Sequence, residues 1–233
     1  MSFVTVPPDF LRIARRLRRG GLVADRVFDE VFPLSARGPS RVYWTPVEVA
    51  VRAAKLLADR PDSTILDIGA GVGKFCIVAA AAVKCEVWGI EHRPHLVEIA
   101  RDAAAKIGVS PTFRHGTLEE QDATLVDGIY MFNPFAENLC TAADRLDGTV
   151  ELSEKKFWKD IHATEDLLSR ARVGTRVVIY CGFGGKMPDG YGLVTRERCA
   201  GSLELWVKHT DSPEPRAKEP PTRATRPASS SLH

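Results

Sequence analysis

The stretch Thr64-Ile65-Leu66-Asp67-Ile68-Gly69-Ala70-Gly71-Val72-Gly73-Lys74-Phe75 constrains the fold more than any other part of the chain. Apolar residues lead to an acid, three glycines alternate with other residues, and an Ala-rich run follows. That order predicts a buried strand, a tight turn and a helix start. Glycine at 69, 71 and 73 leaves no Cβ in the way of a ligand near the backbone. The first N–H groups of the following helix point back toward that ligand. A phosphate-binding P-loop requires G-x-x-x-x-G-K-[ST]. Here Phe75 follows Gly73-Lys74 and Ile68 stands five before Gly73, so the pattern fails twice. A dinucleotide fingerprint requires G-x-G-x-x-G, and the third glycine here is one residue early. The pattern that is met is D-x-G-x-G-x-G, at Asp67, Gly69, Gly71 and Gly73.

Downstream, strand-like and helix-like segments alternate. Glu86–Ile90 reads as a second buried strand closed by Glu91, 22 residues after Gly69. A carboxylate at that distance can accept both hydroxyls of a ribose, whichever nucleoside carries it. Pro94–Ile107 is an amphipathic helix with His92 and His95 read as surface residues at its start. Thr112–Gly116 is a third strand, and Asp127–Phe132 a fourth ending in Asn133-Pro134-Phe135. A helix over 152–172, with Lys155, Lys156 and Lys159 facing out, precedes a fifth strand at Arg176–Cys181. Two late strands, 191–196 and 203–208, have no helix between them. The pattern predicts an α/β fold. Its sheet is doubly wound, mostly parallel and seven-stranded, with a C-terminal antiparallel hairpin and helices on both faces.

Upstream, Thr45 is the expected N-cap of a helix to about Leu57, with Pro46 at its first position and Glu48 completing a capping box. Residues 9–32 read as one or two helices with Asp9 as a cap. Arginines 12, 15, 16, 18 and 19 read as a solvated face rather than a contact for an acidic partner such as RNA or lipid, since no surface aromatics interleave them. From Asp211 onward Pro, Ser, Arg and Thr dominate, which predicts disorder. The expected organisation is an N-terminal helical extension (1–41), a main domain (42–208) and a disordered tail (209–233). With 233 residues, 44% of them hydrophobic, the chain can bury one sizeable core. A net charge of +2 supplies no global field for a nucleic acid. No apolar run is long enough for a membrane span, and the N-terminus does not read as a secretory leader. Five scattered cysteines (76, 85, 140, 181, 199) without a C-x-x-C pair predict reduced thiols in the cytoplasm, with no metal site.

The D-x-G-x-G-x-G loop, Glu91, the strand-end Asn133-Pro134-Phe135 and the terminal hairpin together resemble the class I (seven-stranded, Rossmann-like) S-adenosylmethionine (SAM)-dependent methyltransferases, over about residues 42–208. The resemblance implies SAM as cofactor. It implies that Gly69, Gly71 and Gly73 pass its methionine and ribose, that Asp67 orients the loop or reaches the methionine amino group, and that Glu91 grips the ribose. Tyr43-Trp44-Thr45-Pro46 is similar to a segment that lies over the methionine end in methyltransferases that modify amines. After the third strand Thr117 or Leu118 would contact the adenine, with Glu119 the nearest acid. Asn133-Pro134-Phe135 is similar to the [DNS]-P-P-[FYW] motif of amino-directed methyltransferases, with one proline missing. Asn133 and Phe135 would then line the acceptor as the catalytic pair, and Asn133 would also touch the cofactor. The implied acceptor is a nitrogen on a protein side chain, nucleic acid or small molecule. The alternatives are an NAD(P)-binding Rossmann oxidoreductase and a non-catalytic SAM-binding domain. The sequence assigns no oligomeric state.

Overall fold

The computed structural model describes residues 9–38 and 43–211. Strands β1 (Thr64–Ile68), β2 (Glu86–Glu91), β3 (Thr112–His115), β4 (Gly128–Phe132), β5 (Arg176–Tyr180), β6 (Tyr191–Arg198) and β7 (Ser202–Lys208) form one sheet in the order β3-β2-β1-β4-β5-β7-β6. Pairing is parallel from β3 to β5 and antiparallel where β7 inserts between β5 and β6. This is the mixed seven-stranded architecture expected from the sequence. The strand order reverses between β1 and β4, which opens the crevice at their carboxyl ends where open α/β sheets take ligands.

Parallel strands covered on both faces need apolar residues at nearly every position. Ile65, Tyr130 and Val178 accordingly face one core, and Leu66, Ile129 and Val177 face the other. Helices α4 (Val47–Leu57), α5 (Lys74–Ala82) and α6 (Pro94–Ile107) cover the first face. Helix α7 (Glu154–Arg170) covers the second with Phe157, Ile161, Leu167 and Leu168. Between β3 and β4 the chain makes two single-turn helices, Leu118–Glu120 and Ala123–Leu125.

The N-terminal residues form α1 (Phe10–Arg18) and two four-residue helices, α2 (Asp25–Phe28) and α3 (Leu34–Arg37). Ile13, Ala14, Leu17, Phe28, Val31 and Phe32 are buried in the same cluster as α4, α5 and α6. The segment is thus sealed onto the sheet's helical layer, and the α1 arginines remain in solvent. Asp9 does not cap α1 with its side chain; it pairs with Arg12 at 3.1 Å and Arg15 at 3.5 Å.

The capping box at Thr45 does not form. Pro46 is the N-cap of α4 and has no side-chain cap. The Val47 N–H donates instead to Asp25 Oδ1 at 2.9 Å, and Thr45 Oγ1 pairs with the Tyr130 hydroxyl at 2.9 Å. A distant carboxylate has displaced the local cap. The tail expected to be disordered lies outside the described residues from position 212 on. No helix among the described residues is long and apolar enough to cross a membrane.

Candidate active site

A cavity of about 390 Å³ opens at the crevice and is walled by Gly69, Gly71, Glu91, Thr117, Asn133 and Phe135 among others. That lies within the range of small-molecule sites. The turn after β1 is built on left-handed backbone, with φ of 75° at Gly69, 55° at Gly71 and 77° at Gly73. The Ile90 carbonyl accepts from the Gly69 and Ala70 N–H groups at 3.1 and 2.9 Å, which ties the turn to β2. The three glycines divide their work. A Cβ at Gly71 would meet nothing within 4 Å, so that position is open to a ligand. A Cβ at Gly73 would lie 2.5 Å from the Phe113 ring and 2.8 Å from Ala100. Gly73 is there for close packing under the loop and does not line the cavity.

Asp67 is buried on β1 and lines the cavity. Burial raises its carboxyl to about 7; the Cys76 thiol, donating to Oδ2 at 3.2 Å, works against that rise and the Glu91 charge adds to it. Burial also pushes Cys76 well up, so it stays a thiol donor. Glu91 is buried at the end of β2, where Oε2 accepts from the Gly71 N–H at 2.9 Å and Oε1 from the Arg93 N–H at 2.9 Å. Each carboxylate oxygen has a second lone pair left for a hydroxyl.

One end of the cavity is aromatic. Tyr43, Trp44 and Thr45 line it with Phe75 and Tyr130, whose rings stack 3.8 Å apart. The Tyr43 hydroxyl donates to the Asp144 carbonyl at 2.8 Å, and burial with the neighbouring Cys140 raises it to about 12. At the other end Thr117 and Leu118 both line the wall. Glu119 turns away to pair with Lys159 at 2.8 Å. Asn133 follows β4 with φ 39°, a left-handed conformation that Asn tolerates, and its N–H donates to the Gly182 carbonyl at 3.1 Å. Asn133 is exposed at the cavity and Phe135 is buried beside it, packed into the second core.

Several lining residues escaped the sequence reading. His92 and His95, expected at the surface, border the cavity. Burial lowers His92, leaving a neutral ring whose buried Nε2 has no hydrogen-bond partner. Lys156, expected to face out, turns to the cavity and pairs with Asp160 at 2.9 Å. Arg93 and Lys74 are buried cations with long-range acidic partners. Nothing local in the sequence marks a lysine or arginine for burial; the only hint was their place directly after Gly73 and two residues after Glu91.

No curated protein matches the chain. A family model described as "Methyltransferase domain" matches residues 65–149. An RNA methyltransferase from Salinibacter ruber, solved in complex with S-adenosyl-L-homocysteine, is similar with a TM-score of 0.54 and 21% identity over 75% of this chain and 99% of that one. TrmN from Thermus thermophilus is similar with a TM-score of 0.53 and 20% identity over 76% of this chain and 53% of that one. NSun6 from Pyrococcus horikoshii gives a TM-score of 0.51 and 13% identity over 70% of this chain and 52% of that one. The chain therefore spans about half the length of TrmN and of NSun6. Its fold is the class I methyltransferase fold.

Proposed function

We propose that this chain is a SAM-dependent methyltransferase whose donor lies along the cavity from Tyr43 to Leu118. The observation that carries the reading is the pairing of Glu91 with Gly71. A buried carboxylate with free lone pairs stands beside a left-handed glycine whose outer side is empty, and the two lie 2.9 Å apart across the turn. That pair suits a ribose over the loop. Asp67 suits the methionine ammonium, whose charge would hold the carboxyl ionised. Thr117 and Leu118 border the adenine end.

SAM supplies a methyl group already activated on a cationic sulfur. The residues of this chain then have to align a lone pair with it and keep water out. Positioning of that kind can account for on the order of 7–11 kcal/mol of a barrier. Asn133 is suited to hold an acceptor nitrogen, because its amide makes no hydrogen bond to other described residues. Phe135, buried beside it, is suited to wall the acceptor. A neutral amine needs no base before attack and can lose its proton afterwards. We assign the acceptor to nitrogen on a protein side chain, nucleic acid or small molecule. Residues 42–208 would carry the activity, with an N-terminal extension at 1–41, of which Ile13, Leu17, Phe28 and Phe32 pack into the same core, and a tail at 209–233. All five cysteines are free thiols, which supports a cytoplasmic location.

Calorimetry tests the donor site. S-adenosylhomocysteine should bind in the micromolar range; tight NADH binding with no affinity for S-adenosylhomocysteine would overturn the assignment. Tritiated SAM added to cell extract, then split into protein, RNA and small-molecule fractions, identifies the acceptor class. S-adenosylhomocysteine binding without methylation of any fraction would identify a non-catalytic SAM-binding domain.

A further inference from the structure

Lys74 is the first residue of α5, immediately after the glycine turn, and its side chain is only 4% exposed. A lysine this deep must be compensated, because an isolated ammonium is costly to desolvate. The compensation comes from more than forty residues upstream. Lys74 Nζ lies 2.6 Å from Asp25 Oδ1 and 2.7 Å from Asp29 Oδ1. Asp29 Oδ1 is buried and has no other donor. The ammonium also sits 5.8 Å from the Phe28 ring centroid and 5.7 Å from that of Trp44, within cation–π range. The same Asp25 Oδ1 accepts the Val47 N–H that opens α4. Phe32 packs on Trp44 with centroids 4.6 Å apart. One carboxylate oxygen thus joins the N-terminal segment, the helix behind the glycine turn and the start of α4. Trp44 and Thr45, directly before the Pro46 N-cap of α4, line the aromatic end of the cavity.

We propose that Asp25, Asp29 and Lys74 are positioning residues that set the methionine end of the donor cavity, so that the N-terminal segment is part of the donor site. They act through Trp44 and Thr45, which border that end beside Lys74 itself, and the proposal rests on the methyl-donor reading above. The ribose and adenine end hangs on different groups, the Gly71–Glu91 contact and Thr117–Leu118, which this Asp25–Asp29–Lys74 latch does not touch. Disturbing the latch therefore alters recognition of the amino-acid part of the ligand and leaves the nucleoside part alone.

Two ligands separate these ends by calorimetry on the full chain. S-adenosylhomocysteine has the amino-acid portion; 5′-methylthioadenosine lacks it. Lys74→Met should weaken S-adenosylhomocysteine about tenfold and leave 5′-methylthioadenosine within about twofold of the unsubstituted protein. Asp29→Asn, which keeps the shape and drops one charge, should give the same selective loss at about threefold, and it serves if Lys74→Met does not fold. Equal weakening of both ligands, as general loosening would produce, overturns the proposal, and so does no weakening of either. If the unsubstituted protein binds neither ligand, the methyl-donor reading fails and this proposal fails with it. If it binds both and the variants do not discriminate, only the latch fails.

Discussion

The glycine turn and the segment after β4 face each other across one cavity but are held in different ways. The turn is fixed by its own backbone: three left-handed glycines and N–H groups given to the Ile90 carbonyl and the Glu91 carboxylate. The strap at 136–149 has one short turn of helix, Ala136–Leu139, and is held by side chains from elsewhere. Arg93 donates to Glu137 at 2.9 Å and to Asp147 at 3.1 Å, and the Tyr43 hydroxyl holds the Asp144 carbonyl. Arg93 is 4% exposed, so these are buried contacts in which losing one partner strands the others. The glycine turn is therefore held mainly through backbone groups and the strap through distant side chains. Substitutions on the first should act on ligand affinity, and on the second through the stability of the strap.

The largest effect belongs to Glu91→Ala. It removes two charged hydrogen-bond acceptors for hydroxyls, each worth about 1.5–3 kcal/mol. S-adenosylhomocysteine affinity should fall by about a thousandfold by calorimetry. A change under about tenfold would mean that Glu91 serves only the backbone of the turn. Next comes Arg93→Met, which leaves Glu137 and Asp147 without their cation. We expect a loss of about 3 kcal/mol in urea unfolding and faster hydrogen exchange in 136–149 than in the glycine turn. Equal exchange in both regions would erase the contrast drawn above.

The glycines sharpen the local side. Gly73→Ala drives a Cβ into Phe113 and Ala100 from a left-handed backbone and should cost about 2–3 kcal/mol of stability. Gly71→Ala has the same backbone penalty but open space, so it should cost about 1 kcal/mol while weakening S-adenosylhomocysteine. Stability and affinity should thus separate between two glycines two residues apart.

The smallest effect is set by pH. Asp67 is raised from 3.8 to about 7 by burial. The folded state therefore holds a proton that the unfolded state has released, and stability from this group falls as pH rises from about 4 to about 7. Binding a cationic ammonium needs the ionised carboxylate, so S-adenosylhomocysteine affinity should drop about tenfold from pH 8 to pH 6. Asp67→Asn should flatten both profiles. An unchanged affinity profile in that variant would assign the proton to another group.

Much of the donor side was legible because its signals are local. The acid, the alternating glycines and the strand-end Glu91 follow from strand and turn periodicity, and the structure puts Asp67, Gly69, Gly71 and Glu91 on one cavity. Tyr43, Trp44, Thr45, Thr117, Leu118, Asn133 and Phe135 line the same cavity. The misreadings are the positions where a distant partner wins. Thr45 looked like an N-cap, yet its hydroxyl joins Tyr130 and Asp25 takes the cap. Lys156 and His92 looked like surface residues, yet both are partly buried at the cavity, while His95 borders it and stays exposed.

By itself the sequence determined the order of strands and helices, the turn chemistry and the carboxylate at the end of β2. Backbone conformation and periodic burial act over a few residues, so they are written in consecutive ones. Only the tertiary structure decided which of three alternating glycines line the cavity. It alone showed that Arg93 holds the strap and that Lys74 draws the N-terminal segment into the site. The last two outcomes depend on charges that meet across 44 to 54 residues of chain, and desolvation makes such a meeting compulsory only once the core has closed around it.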